Sequence, residues 1–300
     1  MGRQTIALAG VGNLGKYLCE ELLRSSIYKG SQWLQDHEVE VYMSDYDKTS
    51  VRTILNTTNA TALISFINCP GDVYFDIHKS LLEACKDSQT CKTFIPSEWI
   101  GNLLDFPHLP RFYGISHIPF RSLLSESTGV KWTLFNGGWL MDYFLTTDKT
   151  YMPAIPDEFP IDPNSWRACI RGSGDEEQAF TSARDIAKAV IELLGATHWE
   201  PVTYVVGEWN TFNNAVKIME KFYDRPLEIT FKTTDEIKRN VVKGLDDGEL
   251  TREAEIAQVD EWMIAGATAC PRELTLKQRQ AYFSKVRFHT IGEFIESMEI

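Results

Sequence analysis

Thr5-Ile-Ala-Leu-Ala-Gly-Val-Gly-Asn-Leu-Gly-Lys-Tyr-Leu-Cys-Glu-Glu-Leu-Leu23 is the stretch whose reading decides the fold. An apolar run from Ile6 to Ala9 breaks at Gly10, Gly12 and Gly15, then becomes amphipathic through Leu14, Leu18, Leu22 and Leu23. That pattern predicts a buried strand, a tight turn and a helix, with glycines spaced G-x-G-x-x-G. The glycines turn the chain, let the backbone approach a pyrophosphate and let the helix pack close to the strand. The helix start adds unpaired N–H groups and the positive end of a dipole. Gly10, Gly12, Asn13, Leu14 and Gly15 are therefore the expected dinucleotide contacts. A glycine turn of this kind also occurs where nothing binds; its place after the first strand, opening a helix, favours the nucleotide.

Outward from that unit, Ser25 to Glu38 is polar, includes Lys29-Gly30-Ser31, and reads as a helix end and surface loop. Val39-Glu-Val-Tyr-Met-Ser44 reads as the next strand, ending at Asp45, 30 residues beyond Gly15. An acid at that place hydrogen-bonds a ribose 2′-OH and repels a 2′-phosphate, which favours NAD. Lys48 and Arg52 stand close in sequence, so NADP stays open, with Ser44, Lys48 or Arg52 as phosphate contacts. Ala62 to Ile67 is a buried strand leading into Asn68-Cys69-Pro-Gly71. The helix from Asp72 to about Ser88 places Ile77, Leu81, Leu82 and Cys85 on one face. Thr93 to Ile95 is a short strand ending in Pro96-Ser97-Glu98-Trp99-Ile-Gly101. Strands alternating with helices predict a parallel sheet with its ligand at the strands' carboxyl ends. Asn68, Cys69, Pro96 and Ser97 then join the cofactor contacts.

Composition narrows the classes. A formal net charge of −12 across 300 residues offers no basic stripe for nucleic acid. No apolar run approaches the roughly 20 residues of a membrane span. The opening Met-Gly-Arg-Gln-Thr-Ile runs straight into the first strand, so no leader peptide is expected. The six cysteines, at 19, 69, 85, 91, 169 and 270, form no C-x-x-C pair and no metal-type spacing. Reduced, buried thiols in a cytoplasmic protein are the expectation, with no metal, and a monomer or homodimer.

Further along, Ser116 reads as the N-cap of a helix with Pro119 in its first turn, running to about Thr128 and closed by Gly129. Val130 to Phe135 and Arg167 to Ile170 read as strands, Gly172 to Glu177 as a turn, and Ala183 to Leu194 as a helix capped by Thr181 or Ser182. Amphipathic helices over 211–223 and 234–243 bracket a strand from Leu227 to Phe231. Asp246 to Glu255 reads as a solvated helix start and Thr290 to Met298 as a last helix, while Gly266 to Gln280 has no clear pattern. The fold class is α/β, a Rossmann-type doubly wound parallel sheet. Residues 1–150 form the dinucleotide domain, with the sheet completed by about 178–207, and 151–300 form mainly a substrate-binding region.

The glycine turn, Phe94-Ile-Pro-Ser-Glu-Trp-Ile-Gly101, and Trp132-Thr-Leu-Phe-Asn-Gly-Gly-Trp-Leu-Met-Asp-Tyr-Phe-Leu145 resemble the NmrA-like, isoflavone-reductase-like family of atypical short-chain dehydrogenase/reductases. Thr181-Ser-Ala-Arg-Asp-Ile-Ala187, and Tyr204-Val-Val-Gly207 followed by Thr211, extend the resemblance over roughly residues 5 to 240. Its wording is similar to fungal enzymes that tailor secondary metabolites. The resemblance implies an oxidoreductase using NADP or NAD on a bulky aromatic or alkaloid-like molecule. The step is hydride transfer to or from C=N, C=C or C=O, or a cofactor-assisted cyclisation or rearrangement. The alternative it implies is a non-catalytic, dinucleotide-sensing regulator.

The resemblance also implies a catalytic lysine on the helix after the Ile-Pro-Ser-Glu strand, yet no lysine lies between Lys92 and Lys131. The Tyr-x-x-x-Lys pair of classical short-chain enzymes is absent as well; Tyr113-Gly-Ile-Ser-His117 stands there, with Arg121 one turn on. His117, able to exchange a proton near neutrality, is the first candidate acid, with Tyr113 and Glu98 behind it. Each also has a structural reading, as a cap, a packed ring or a backbone-bonded carboxylate. Trp99, Phe112, Phe120, Trp139, Met141, Tyr143 and Trp166 suit the wall of a site for a flat apolar substrate, or else the core beneath the loops.

Overall fold

The computed structural model describes residues 4–24, 39–69, 71–246 and 250–299. Instead of the expected split near residue 150, two interleaved units appear. The first draws on Met1–Trp99, Gly114–Phe135 and Ala187–Thr203, and the second on Ile100–Tyr113, Asn136–Ile186 and Tyr204–Ile300.

In the first unit β1 (Ile6–Ala9) leads through the glycine turn into α1 (Asn13–Arg24), and α2 (Lys48–Thr57) follows. Then come β2 (Ala62–Ser65), α3 (Gly71–Asp87), β3 (Thr93–Ile95), α4 (His117–Ser125) and β4 (Lys131–Trp132). The four strands form one parallel sheet in the order β1-β2-β3-β4, registered Ile6 to Ala62, Ala62 to Thr93 and Thr93 to Lys131. This is the Rossmann-type α/β arrangement the sequence predicts. β2 is buried along its whole length, as a strand covered on both faces must be. Beneath it Leu18, Leu55, Leu81, Leu82, Phe94 and Phe120 are wholly or almost wholly enclosed.

Val39 to Ser44 differs from the expectation. Residues 39–46 lie outside any ladder, and Val41, Tyr42 and Met43 are exposed. The Ser44 hydroxyl bonds Ser50 Oγ at 2.8 Å and accepts from the Tyr46 N–H at 3.0 Å. Tyr46 itself takes a left-handed φ of 60°. These contacts fasten the segment's end to the first turn of α2 rather than along β1. A cavity of about 880 Å³, lined by Ile6, Leu8, Tyr42, Val51, Leu55 and Leu63 among others, lies alongside β1. The expected loop over Ser25–Glu38 falls outside the described residues, as do Pro70 and residues 247–249 of the acidic run after Asp246.

The chain leaves and re-enters the units within β5 (Leu134–Asn136), α5 (Ala183–Leu194) and β10 (Val202–Tyr204). The second unit holds β6 (Trp139–Leu140), β7 (Ile161–Asp162), β8 (Arg167–Arg171), β9 (Gln178–Thr181), β11 (Glu208–Asn210) and β12 (Glu228–Lys232). They make two three-stranded sheets, ordered β11-β9-β6 and β12-β8-β7. Of the stretch 178–207 expected to complete the first sheet, Gln178–Thr181 pairs instead with β6 and β11, while β10 pairs with β5 and, in the first unit, Pro201 O accepts from Leu134 N at 2.9 Å. Phe144, Phe159, Phe180, Phe212, Trp262 and Phe294 centre the second unit's core. Its helices are α6 (Phe212–Tyr223), α7 (Thr234–Asp246), α8 (Arg252–Ile264), α9 (Arg272–Tyr282) and α10 (Ile291–Glu299). The patternless stretch from Gly266 contributes α9.

Candidate active site

The glycine turn has the geometry a dinucleotide needs. Gly10 holds φ +79°, a conformation L side chains avoid. A Cβ on Gly15 would stand 2.9 Å from the Gly10 carbonyl oxygen and 3.2 Å from the Phe66 ring, so this glycine is what lets α1 lie against the strand ends. A Cβ on Gly12 would meet nothing within 4 Å. Gly12 and Asn13 are exposed at the helix start, whereas Leu14 is buried beneath it. The turn is thus crowded at Gly15 and open at Gly12.

The other expected cofactor residues fall at strand or segment ends of the same unit. Asn68 is exposed and Cys69 half-buried, its thiol pKa pushed up by burial. Pro96 and Ser97 are buried after β3. Asp45 is exposed beyond the extended segment. Lys48 is committed elsewhere, 2.7 Å from Asp87 and 3.9 Å from Glu83. Asp47 caps α2 by accepting from Thr49 N at 2.9 Å and Ser50 N at 3.0 Å.

Below the β3 end lies a stacked triplet that sequence reading missed. Tyr74 is sandwiched between His78, at 3.9 Å between ring centroids, and His117, at 3.8 Å. The Tyr74 hydroxyl donates to Ser97 O at 2.8 Å. His78 Nδ1 sits 2.9 Å from Tyr74 O, and its Nε2 lies 3.0 Å from Ser65 Oγ and accepts from Ser97 N at 3.3 Å. Those partners fix the Nδ1–H tautomer of a neutral imidazole. Burial pushes the His78 pKa down to about 4. Tyr74 and His78 are one helical turn apart on the inward face of α3, the one pattern that could have flagged them.

His117 is only 6% exposed. Its Nδ1 lies 3.0 Å from Ser116 Oγ, and it also hydrogen-bonds the Ser97 backbone. Burial first, then the Arg121 cation, holds its pKa well below the ordinary histidine value. That corrects the expectation of a ready general acid at neutral pH: the ring is kept neutral and clamps the start of α4 to the end of β3. Ser116 correspondingly makes no side-chain cap to the helix. Glu98 is corrected in the same sense. Arg121 Nε donates to its Oε1 at 3.0 Å and Nη2 to its Oε2 at 2.8 Å, which occupies both carboxylate oxygens. Trp99 adopts φ +60°, stacks on Phe66 at 4.7 Å and donates its indole N–H to Ser65 O at 3.0 Å, closing over the end of β2. The ring stack and the indole hydrogen bond hold this non-glycine residue in a sparsely populated conformation.

The expected substrate wall divides. Phe120 has no exposed surface and packs against Tyr74, His78 and Phe94 in the first unit, so it is core. Trp139, Met141 and Trp166 belong to the buried core of the second unit, with Phe112 and Tyr143 partly buried against it. Apolar side chains at these loops are drawn into the nearest enclosed cluster, which corrects the reading of Trp139, Met141 and Trp166 as open pocket wall. Tyr113 is the central residue of a short 3₁₀ turn, Arg111–Ile115, edge-on to Phe112 at 5.0 Å.

No family model matches the chain. It is 30% identical over 300 residues to the oxidoreductase swnR of Metarhizium robertsii, covering 96% of this chain and 95% of that one. Among solved structures it resembles the leucoanthocyanidin reductase–NADPH complex of Vitis vinifera, with TM-score 0.72, 16% identity and 98% of both chains covered. An isoflavone reductase matches with TM-score 0.68 and 15% identity over 99% of both chains. Fold and turn together define a Rossmann-type α/β protein. Within that class the chain belongs to the NmrA-like, isoflavone-reductase-like family, among its fungal oxidoreductases. Among the described residues no helix is long and apolar enough to cross a membrane.

Proposed function

We propose that this oxidoreductase uses a nicotinamide dinucleotide, NADP(H) or NAD(H), to reduce a C=N bond in a small alkaloid-like or aromatic molecule. The cofactor part rests on the glycine turn. Gly10, Gly12, Asn13 and Gly15 would take the pyrophosphate at the positive end of α1, and Asn68, Cys69, Pro96 and Ser97 would border the ring-bearing half. NADPH in the leucoanthocyanidin reductase complex supports NADP(H); Asp45 and the commitment of Lys48 to Asp87 support NAD(H). Bound there, the reduced nicotinamide would supply a hydride.

The observation that carries the choice of bond is the state of the candidate acids. The lysine is absent, His117 is held neutral and doubly bonded, and both oxygens of Glu98 are taken by Arg121. Reducing a ketone needs a proton delivered to the developing alkoxide. An iminium ion needs none: the hydride adds to carbon, the nitrogen takes the C=N π pair as its lone pair, and a neutral amine results. Arg121–Glu98 and the Tyr74 stack then serve to hold the β3 end and α4 in one geometry.

The test is a panel of cyclic imines and matched cyclic ketones, followed through loss of the reduced-nicotinamide absorbance. The expected result is imine reduction that declines as pH rises past the imine's own pKa, with ketones inert. Ketone reduction at a comparable rate, abolished in His117→Ala, would overturn this reading and restore His117 as acid.

A further inference from the structure

Cys85 lies in the last turns of α3 and Cys91 just before β3, with their sulfurs 3.7 Å apart and both residues wholly buried. The short loop between them is tied down. Ser88 Oγ donates to Asn56 Oδ1 at 2.8 Å and accepts from Cys91 N at 3.1 Å, and Gln89 N donates to the same Asn56 oxygen at 3.0 Å. Lys92 Nζ donates to the carbonyls of Lys86 at 2.6 Å and Cys85 at 3.4 Å. The two thiols thus face each other across a fixed turn whose outer residues, Gln89 and Lys92, are exposed.

We propose that Cys85 and Cys91 form a reversible thiol–disulfide site, oxidised by a peroxide. The hydrogen bond from the Cys85 thiol lowers the Cys91 pKa and raises that of Cys85, so Cys91 is the attacking sulfur. Its thiolate attacks a peroxide oxygen, giving a sulfenic acid and hydroxide. The Cys85 sulfur then attacks the sulfenic sulfur and its proton leaves with the expelled hydroxyl as water. The sum is two thiols and hydrogen peroxide giving one disulfide and two waters. The bond would tie the end of α3 to the start of β3, whose opposite ends carry the Tyr74–Ser97 and His78–Ser97 hydrogen bonds.

Trypsin cleaves after Lys79, Lys86 and Lys92, which puts the two cysteines on separate peptides, 80–86 and 87–92. The full folded chain is treated with graded hydrogen peroxide, blocked with iodoacetamide and digested without reductant. The expected product is a linked peptide pair two hydrogens lighter than the separate peptides. It appears before either thiol reaches sulfinic acid, is reversed by dithiothreitol, and accompanies a rise in melting temperature. In Cys85→Ser the link is lost and Cys91 goes on to sulfinic acid. Two separately alkylated peptides at peroxide doses that already oxidise half-buried Cys69 would overturn the proposal, as would a link that forms only in urea.

Discussion

Arg121 and Glu98 meet in a two-pronged ion pair, at 3.0 and 2.8 Å, with the carboxylate wholly buried and the guanidinium side chain only 13% exposed. The pair joins the loop after β3 to the middle of α4. Removing one partner leaves a buried charge unanswered, so Arg121→Met should destabilise the protein by about 3–5 kcal/mol in urea unfolding. The double variant Arg121→Met/Glu98→Gln should recover most of that. A single-variant loss below about 1 kcal/mol would mean that water reaches the carboxylate.

Acid should act through the stacked histidines. The His78 pKa is pushed down to about 4 from an ordinary 6.5, chiefly by burial. Between those values the unfolded chain binds a proton that the folded chain does not. Stability is therefore full above pH 6.5, falls as the pH drops through the window, and stops falling on this account below about 4. The shift corresponds to about 3 kcal/mol, and His117 is displaced in the same direction. Urea midpoints from pH 7 to 4 should show that loss, reduced in His78→Gln. An unchanged slope in the variant would assign the acid sensitivity to other groups.

The glycines of the turn should separate stability from binding. Gly15→Ala drives a Cβ to 2.9 Å from a backbone carbonyl and should cost about 1–3 kcal/mol. Gly12→Ala meets open space and should stay within about 0.5 kcal/mol of wild type. Thermal and urea unfolding of the two variants checks this; equal losses would contradict the turn geometry.

The sequence carried the fold a long way, and the turn most of all, because three glycines at fixed spacing answer to local backbone demands. Ala62–Ser65 and Thr93–Ile95 were legible for a similar reason, as short apolar runs bounded by turn residues. Val39–Ser44 misled because its alternating pattern suits a strand, while the hydroxyl of Ser44 and the left-handed Tyr46 bind the segment to α2 instead. The proton chemistry was least legible. His117 and Glu98 occupy the expected stretch, but their partners come from distant positions, Tyr74 on α3 and Arg121 on α4, and no spacing reveals that both are engaged. For Trp139, Met141 and Trp166 the aromatic richness was visible but not the enclosed cluster that absorbs it.

Cofactor choice should turn on Asp45. If its carboxylate meets the ribose, Asp45→Ala narrows any preference for NAD over NADP by about fivefold to tenfold, the loss of one hydrogen bond and one repulsion. Lys48→Ala should leave the ratio unchanged, because that ammonium is held by Asp87. Dissociation constants for both dinucleotides in each variant decide it. A drop in NADP affinity confined to Lys48→Ala would contradict the assignment.

The most direct test of the account is calorimetric titration of NADPH and NADH into the wild type and Gly12→Val. A Cβ at Gly12 meets nothing within 4 Å, so the variant should fold with a melting temperature close to that of wild type. It should nevertheless lose at least about tenfold in affinity for the dinucleotide that the wild type binds one to one, about 1.4 kcal/mol. A wild type that binds neither dinucleotide, or a Gly12→Val variant that binds as tightly as wild type, would contradict the assignment of the glycine turn as the cofactor site.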